Sequence, residues 1–320
     1  MNGSSRLVTL FSWLVIGAML VGLWRFTTLG ADTRPTLLSC EGANCAASSE
    51  VPLVRAPAAP LLSCVSARLD GVDALFLLDT GTGDTVLDQS VLAQRGTQGR
   101  ARNVLGAVNE EFGFQPLVPV ARLELGSLRY GNFEAPAVDL SPVSAALGVE
   151  LTGILGMNVL GQTAFEIDFR AMRLVLDATR GGPVARKVAE ARDAFPLRDV
   201  AGGLFAEVRS GATSGLFLID SGAAQTQLEA DLAKAAGVGP GAVRRSVVVA
   251  ATGVREGAVT SVVLPEVVLG QVQRAGLRAD LGDANLLGAD FLERSLLRID
   301  ARALRATLAP SSEPGRPTSR

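Results

Sequence analysis

The sequence predicts an all-β protein built as two homologous β-barrel lobes, with its functional centre between them and one apolar helix ahead of them. Three observations carry that expectation. The 320-residue chain holds 35 glycines and many short runs of Val and Leu, the composition of strands joined by tight turns. A short signature occurs twice, as Asp79-Thr80-Gly81 and as Asp220-Ser221-Gly222. Each copy follows an apolar run, Leu75-Phe76-Leu77-Leu78 or Leu216-Phe217-Leu218-Ile219, that reads as the end of a buried strand.

The repeat extends well beyond three residues. Thr85 corresponds to Thr226, Leu87 to Leu228 and Asp88 to Glu229. Downstream, Ile154-Leu155-Gly156 is matched by Leu286-Leu287-Gly288. Gly156 lies 12 residues before Asp168, and Gly288 lies 12 before Asp300. From signature to glycine the two spacings are 77 and 68 residues, so the copies differ by 9 residues, all between the two motifs. Duplication followed by drift in loop length accounts for that pattern.

Composition narrows the chemistry. A net charge of −2 gives no basic field for nucleic acid. The chain has no histidine, which removes Ser-His and Cys-His triads together with the commonest zinc ligand. A carboxylate at the end of a buried strand is costly unless partnered. Two such carboxylates, one per copy, suggest that each is the other's partner: a pair that shares one proton and activates a water needs no histidine. Neither a metal nor a cofactor is expected.

Leu77-Leu78-Asp79-Thr80-Gly81, continuing to Asp84-Thr85-Val86-Leu87, resembles the active-site segment of the retropepsins, and Ile154-Leu155-Gly156-Met157-Asn158 resembles the hydrophobic-hydrophobic-Gly motif of that family. Both motifs recur in order in each half, over roughly residues 61 to 309. Retropepsins are usually homodimers that contribute one Asp per subunit. This chain resembles a fused pair, as in pepsin-like enzymes and bacterial membrane-anchored retropepsin-like proteases. The resemblance implies an aspartic endopeptidase acting on a protein or peptide substrate, with Asp79 and Asp220 catalytic and no obligate dimer. It further implies that the Thr80 and Ser221 hydroxyls cross-bond the two loops and that Gly81 and Gly222 let them approach closely. The two hydrophobic-Gly motifs would pack beneath the loops. The alternative is a catalytically silent peptide-binding or sensor module. One departure stands out: the only tyrosine is Tyr130, so the flap tyrosine of pepsin-like enzymes has no obvious equivalent.

The remaining elements follow in order. Leu7 to Trp24 is an uncharged, mostly apolar run between Arg6 and Arg25, long enough to span a bilayer as a helix; a cleaved signal peptide is the competing reading. Residues 1–24 are therefore expected as a membrane anchor, with the lobes outside the cytoplasm, facing a bacterial periplasm. Residues 25–60, rich in Ala, Ser and Pro, read as a flexible linker. Cys40, Cys45 and Cys64 allow one disulfide with a thiol left over, in a pairing that spacing does not decide. Lobe one is expected over 61–178, a linker with a short helix over 179–196, and lobe two over 197–309. The tail 310–320 is polar and expected to be disordered. Within the lobes, Asp70-Gly71 and Ser210-Gly211 mark turns. Residues 89–95 and 229–236 are expected as short helices, and 103–120 and 246–264 as hairpins over the cleft.

Overall fold

The computed structural model describes residues 35–38, 48–95, 101–105, 111–239, 241, 243–250 and 253–311. All of them fall in one compact unit. The expected anchor at 1–24, Cys40 and Cys45 lie outside the described residues. Among those described, no helix is long and apolar enough to cross a membrane.

Lobe one opens with two strands that the sequence reading assigned to the flexible linker: β1 (Thr36–Leu38) and β2 (Ser48–Arg55). The second is a correction with a clear cause. Ser49, Val51 and Leu53 alternate inward, but Pro52 interrupts the strand pattern. Proline is tolerated there because β2 changes partners at that point, so its missing N–H costs no ladder bond. Next come β3 (Ser63–Leu69) and β4 (Val72–Leu78), joined by Asp70-Gly71 with both φ positive, the turn expected for a tight hairpin. After β5 (Val86–Asp88) and helix α1 (Gln89–Arg95), strands β6 (Ala101–Leu105) and β7 (Glu111–Val120) pair antiparallel as the expected hairpin. Then follow β8 (Leu123–Leu125), β9 (Leu128–Gly131), β10 (Phe133–Val138) and helix α2 (Ser141–Leu147). Strand β11 (Gly153–Leu155) threads between β4, to which it is parallel, and β5, to which it is antiparallel. That threading sets the end of β4 against the Leu155 carbonyl, which accepts the Asp79 N–H at 3.1 Å. Helix α3 (Met157–Leu160) and strands β12 (Ala164–Asp168) and β13 (Arg173–Asp177) complete the lobe.

The connection between lobes contains the expected short helix, α4 (Pro183–Glu190), whose Val184 N–H is held by the Asp177 carboxylate. Lobe two repeats the plan after β14 (Phe195–Pro196) and β15 (Arg198–Val200). The hairpin of β16 (Gly203–Ser210) and β17 (Thr213–Ile219) leads to β18 (Gln227–Glu229) and helix α5 (Ala230–Ala235), which Gly237 ends at φ +70°. Strands β19 (Val243–Ala250) and β20 (Gly253–Leu269) form the second expected hairpin, β21 (Val272–Gly282) pairs with β20, and β22 (Leu286–Leu287) lies parallel to β17. Helix α6 (Ala289–Leu292), β23 (Ser295–Asp300) and β24 (Arg305–Pro310) close the chain. Each sheet closes on itself at one corresponding point, β3 on β8 and β16 on β20. The 9-residue difference between copies reflects two opposing changes: lobe one inserts α2, whereas lobe two has a longer hairpin.

The lobes do not meet only at a cleft. Strands β14, β24, β23, β12, β13 and β2 run side by side as one antiparallel layer, and its centre is the β12–β23 pair, one strand from each lobe. Phe165, Ile167, Leu297 and Ile299 on that pair are fully buried. Asp168 and Asp300 each end their strand. Each carboxylate accepts the N–H groups two and three residues on, which turns the chain into the next strand. Two residues expected in the tail belong to the fold: Pro310 ends β24, and Ser311 is buried, its hydroxyl donating to Asp168 at 2.7 Å, while residues 312–320 lie outside the described residues.

Candidate active site

Asp79 and Asp220 leave the ends of β4 and β17 and face each other across the pseudo-two-fold axis. Their backbones are held alike: the Asp79 N–H donates to Leu155 O, and the Asp220 N–H to Leu287 O at 3.0 Å. Their carboxylates are held alike too. Asp79 Oδ1 accepts the Gly81 N–H at 2.8 Å, and Asp220 Oδ1 accepts those of Gly222 and Ala223 at 2.9 Å. The two carboxyl groups lie against each other's loops, close enough that each perturbs the other's titration. Burial, and then the charge of Asp220, push Asp79 well above the usual carboxylate range. Burial raises Asp220 as well, against the pull of its hydrogen bonds. Two carboxyls in this position cannot both ionise cheaply, so the pair retains a proton.

The glycines explain how the loops come so close. A Cβ on Gly81 would sit 2.6 Å from both oxygens of Asp220, and one on Gly222 would sit 2.5 and 2.7 Å from those of Asp79. Each glycine is the floor under the other lobe's carboxylate.

Thr80 and Ser221 lock the arrangement. The Thr80 N–H donates to Ser221 Oγ at 3.0 Å and the Ser221 N–H to Thr80 Oγ1 at 3.1 Å. The hydroxyls then donate onward, Thr80 Oγ1 to Ile219 O at 2.7 Å and Ser221 Oγ to Leu78 O at 2.9 Å. All four bonds are buried and all four cross between lobes, so the loops cannot move apart without leaving polar groups unpaired. The structure thus brings together Asp79, Thr80, Gly81, Asp220, Ser221 and Gly222, all six of the residues singled out in the sequence.

A supporting layer lies beneath, and the sequence reading saw only part of it. Thr85 donates its N–H and hydroxyl to Asn158 Oδ1, both at 2.8 Å, and its Oγ1 accepts the Gly156 N–H. Lobe two repeats this with Thr226, Asp290 and Gly288. The threonines were legible as a repeated pair, but nothing local showed that they brace the two signature loops. The substitution of Asp290 for the amide of lobe one has a consequence: burial first, and the Asp280 charge last, raise the Asp290 carboxyl.

Two other residues settle differently from the main site. Tyr130 is fully buried in β9 and belongs to the core. Cys64 is a free, buried thiol on β3, raised by burial to about 11. The side chains of Phe112 and Phe114, which the sequence offers first as core and second as flap residues, lie outside the described residues.

Comparison with known families divides the chain at the same place. An aspartyl protease family model matches residues 65–159, and a gag-polyprotein putative aspartyl protease model matches residues 207–294. Each match contains one Asp-Thr/Ser-Gly signature and its downstream glycine. No curated protein matches the chain.

Proposed function

Because the chain belongs to the retropepsin-like aspartic proteases and carries both of their lobes in tandem, we propose that it is an endopeptidase whose catalytic groups are Asp79 and Asp220. The observation that supports this most directly is the pair of buried carboxyls brought together at the axis, each resting on the other lobe's glycine. One proton is shared between them. The ionised carboxyl takes a proton from water as the water attacks the scissile carbonyl, and the protonated one hydrogen-bonds the carbonyl oxygen as it gains charge. Collapse of that tetrahedral species breaks the C–N bond, and the leaving amine takes up a proton. Thr80, Gly81, Ser221 and Gly222 act as loop support: they position the carboxyls and do not touch the reacting atoms.

Both carboxyls come from one chain, so cleavage needs no second subunit. The apolar run 7–24 would anchor the lobes outside the cytoplasm; that part of the proposal rests on the sequence alone. Asp79→Asn and Asp220→Asn should each abolish cleavage of an unfolded protein substrate while leaving the fold intact. The double variant should be no worse than either single one, because the carboxyls act as a unit. A single variant with near-normal turnover would overturn the shared-proton mechanism. Binding of peptide with no cleavage by the parent protein would point to a silent binding module.

A further inference from the structure

The centre of the inter-lobe layer carries a residue pair that a symmetric dimer could not have. Antiparallel pairing of β12 with β23 sets Ala164 opposite Asp300, Glu166 opposite Arg298 and Asp168 opposite Leu296. The downstream repeat relates residue n of lobe one to residue n+132 of lobe two, as Gly156 to Gly288 and Asp168 to Asp300 show. Under that offset the counterpart of Glu166 is Arg298, the residue it faces. The pseudo-two-fold axis therefore passes between Glu166 and Arg298, and there alone in the pair each residue meets its own equivalent.

The two residues form a tight ion pair. Arg298 Nε donates to Glu166 Oε2 at 2.6 Å, with the glutamate side chain 5% exposed and the arginine 21%. Two further cations face the same carboxylate, Arg173 of β13 at 3.5 Å and Lys187 of α4 at 3.4 Å, and Arg173 also reaches Glu50 at 3.5 Å. On the opposite face, Phe165, Ile167, Leu297 and Ile299 are all apolar and buried, so that face does not distinguish one lobe from the other.

We propose that the Glu166–Arg298 pair selects pairing between unlike lobes, so that the central strand of lobe one accepts lobe two as its partner and rejects a second copy of itself. Two copies of lobe two would bring Arg298 against Arg298, with Arg305 where lobe one has Arg173 and no carboxylate on the axis. Two copies of lobe one would bring Glu166 against Glu166, relieved in part by an Arg173 on each side. Only the mixed pair gives one carboxylate and one guanidinium at the axis, where a buried charge without its partner is costly. Duplication creates two lobes that can each pair with themselves, and this one position removes that freedom. The inference rests on the fold and holds whether or not the protein cleaves peptides.

The intact chain can report on it, because E166R recreates the lobe-two self-pairing in place and R298E recreates that of lobe one. Urea unfolding of each is compared with its neutral control, E166Q or R298Q. E166R should lower the folding equilibrium constant on the order of 100-fold beyond E166Q, since like charges across an interface are strongly repelled. R298E should fall between R298Q and that value, because Arg173 and Lys187 serve both carboxylates. The exchange E166R/R298E restores opposite charges and should recover at least tenfold over E166R alone. A variant that fails to fold while its neutral control folds supports the proposal, and the comparison at the other partner stands independently. Reversal no worse than neutralisation at both positions, or an exchange that recovers nothing, would overturn it.

Discussion

Adding a single methyl group at Gly222 tests how closely the two loops are matched. A Cβ there would lie 2.3 Å from Asp79 Cγ and 2.5 Å from its Oδ2, where ordinary contact begins near 3.4 Å, so about 1.1 Å must be found. A flexible side chain would swing away at little cost, but the Asp79 carboxyl is not free to swing. It is held by the Gly81 N–H at 2.8 Å and by Asp220, and its loop is tied to the other lobe through Thr80. Overpacking of this kind costs about 1–3 kcal/mol of stability. Against a stability of about 5–15 kcal/mol, that leaves the protein almost entirely folded. Misplacing a reacting group by about 1 Å, in contrast, costs on the order of 100-fold in rate. Gly222→Ala should therefore lose about 100-fold in kcat/KM, equal to about 2.7 kcal/mol of transition-state stabilisation, while its urea midpoint moves only modestly. Gly83→Ala serves as the control, since its Cβ would meet Ala201 O at 3.1 Å and needs only a small adjustment. That variant should stay within several-fold of the parent in a peptide hydrolysis assay. If folded Gly222→Ala kept more than a tenth of parental kcat/KM, the carboxyl would not be confined as argued.

Three further outcomes are expected. Thr80→Val strands the buried Ser221 N–H and frees the Ile219 carbonyl, so unfolding in urea should show a loss of about 1–3 kcal/mol, with Thr80→Ser near parental; equal stabilities for Val and Ser would refute the hydroxyl's role. Both dyad carboxyls are raised, so the folded state holds a proton that the unfolded chain releases; the pair's contribution to stability is full below the unfolded carboxyl value and is lost as pH rises through the folded values, and cleavage should fall with it as the shared proton leaves. Cleavage that rises steadily through neutral pH would contradict that sign. Asp290 is raised in the same sense, and Asp290→Asn keeps the acceptor for Thr226 just as Asn158 does for Thr85; its urea midpoint should depend less on pH than the parent's, and an unchanged pH slope would exclude a titrating Asp290.

The sequence alone determined the parts of this protein that are local and repeated. An apolar run, an acid, a small hydroxyl and a glycine, written twice with a matching glycine downstream, was enough to place Asp79 and Asp220 as partners. The turns at Asp70-Gly71 and Ser210-Gly211, the helices after each signature and the two hairpins also followed from short-range chemistry. Tertiary structure decided what depends on distant partners. Ser48–Arg55 looks like linker because Pro52 breaks its pattern, and it is a strand only because β13 and β3 offer it successive edges. Helix α2 gave no signal strong enough to separate it from a loop: it has a proline at its start and only Val143 and Leu147 buried. The roles of Thr85, Asn158, Thr226 and Asp290 exist only once β11 and β22 are threaded into their sheets. The Glu166–Arg298 pair is the clearest case. Each residue, read alone, is an ordinary charge in a strand, and it acquires meaning only when antiparallel pairing places it on the axis opposite its own counterpart.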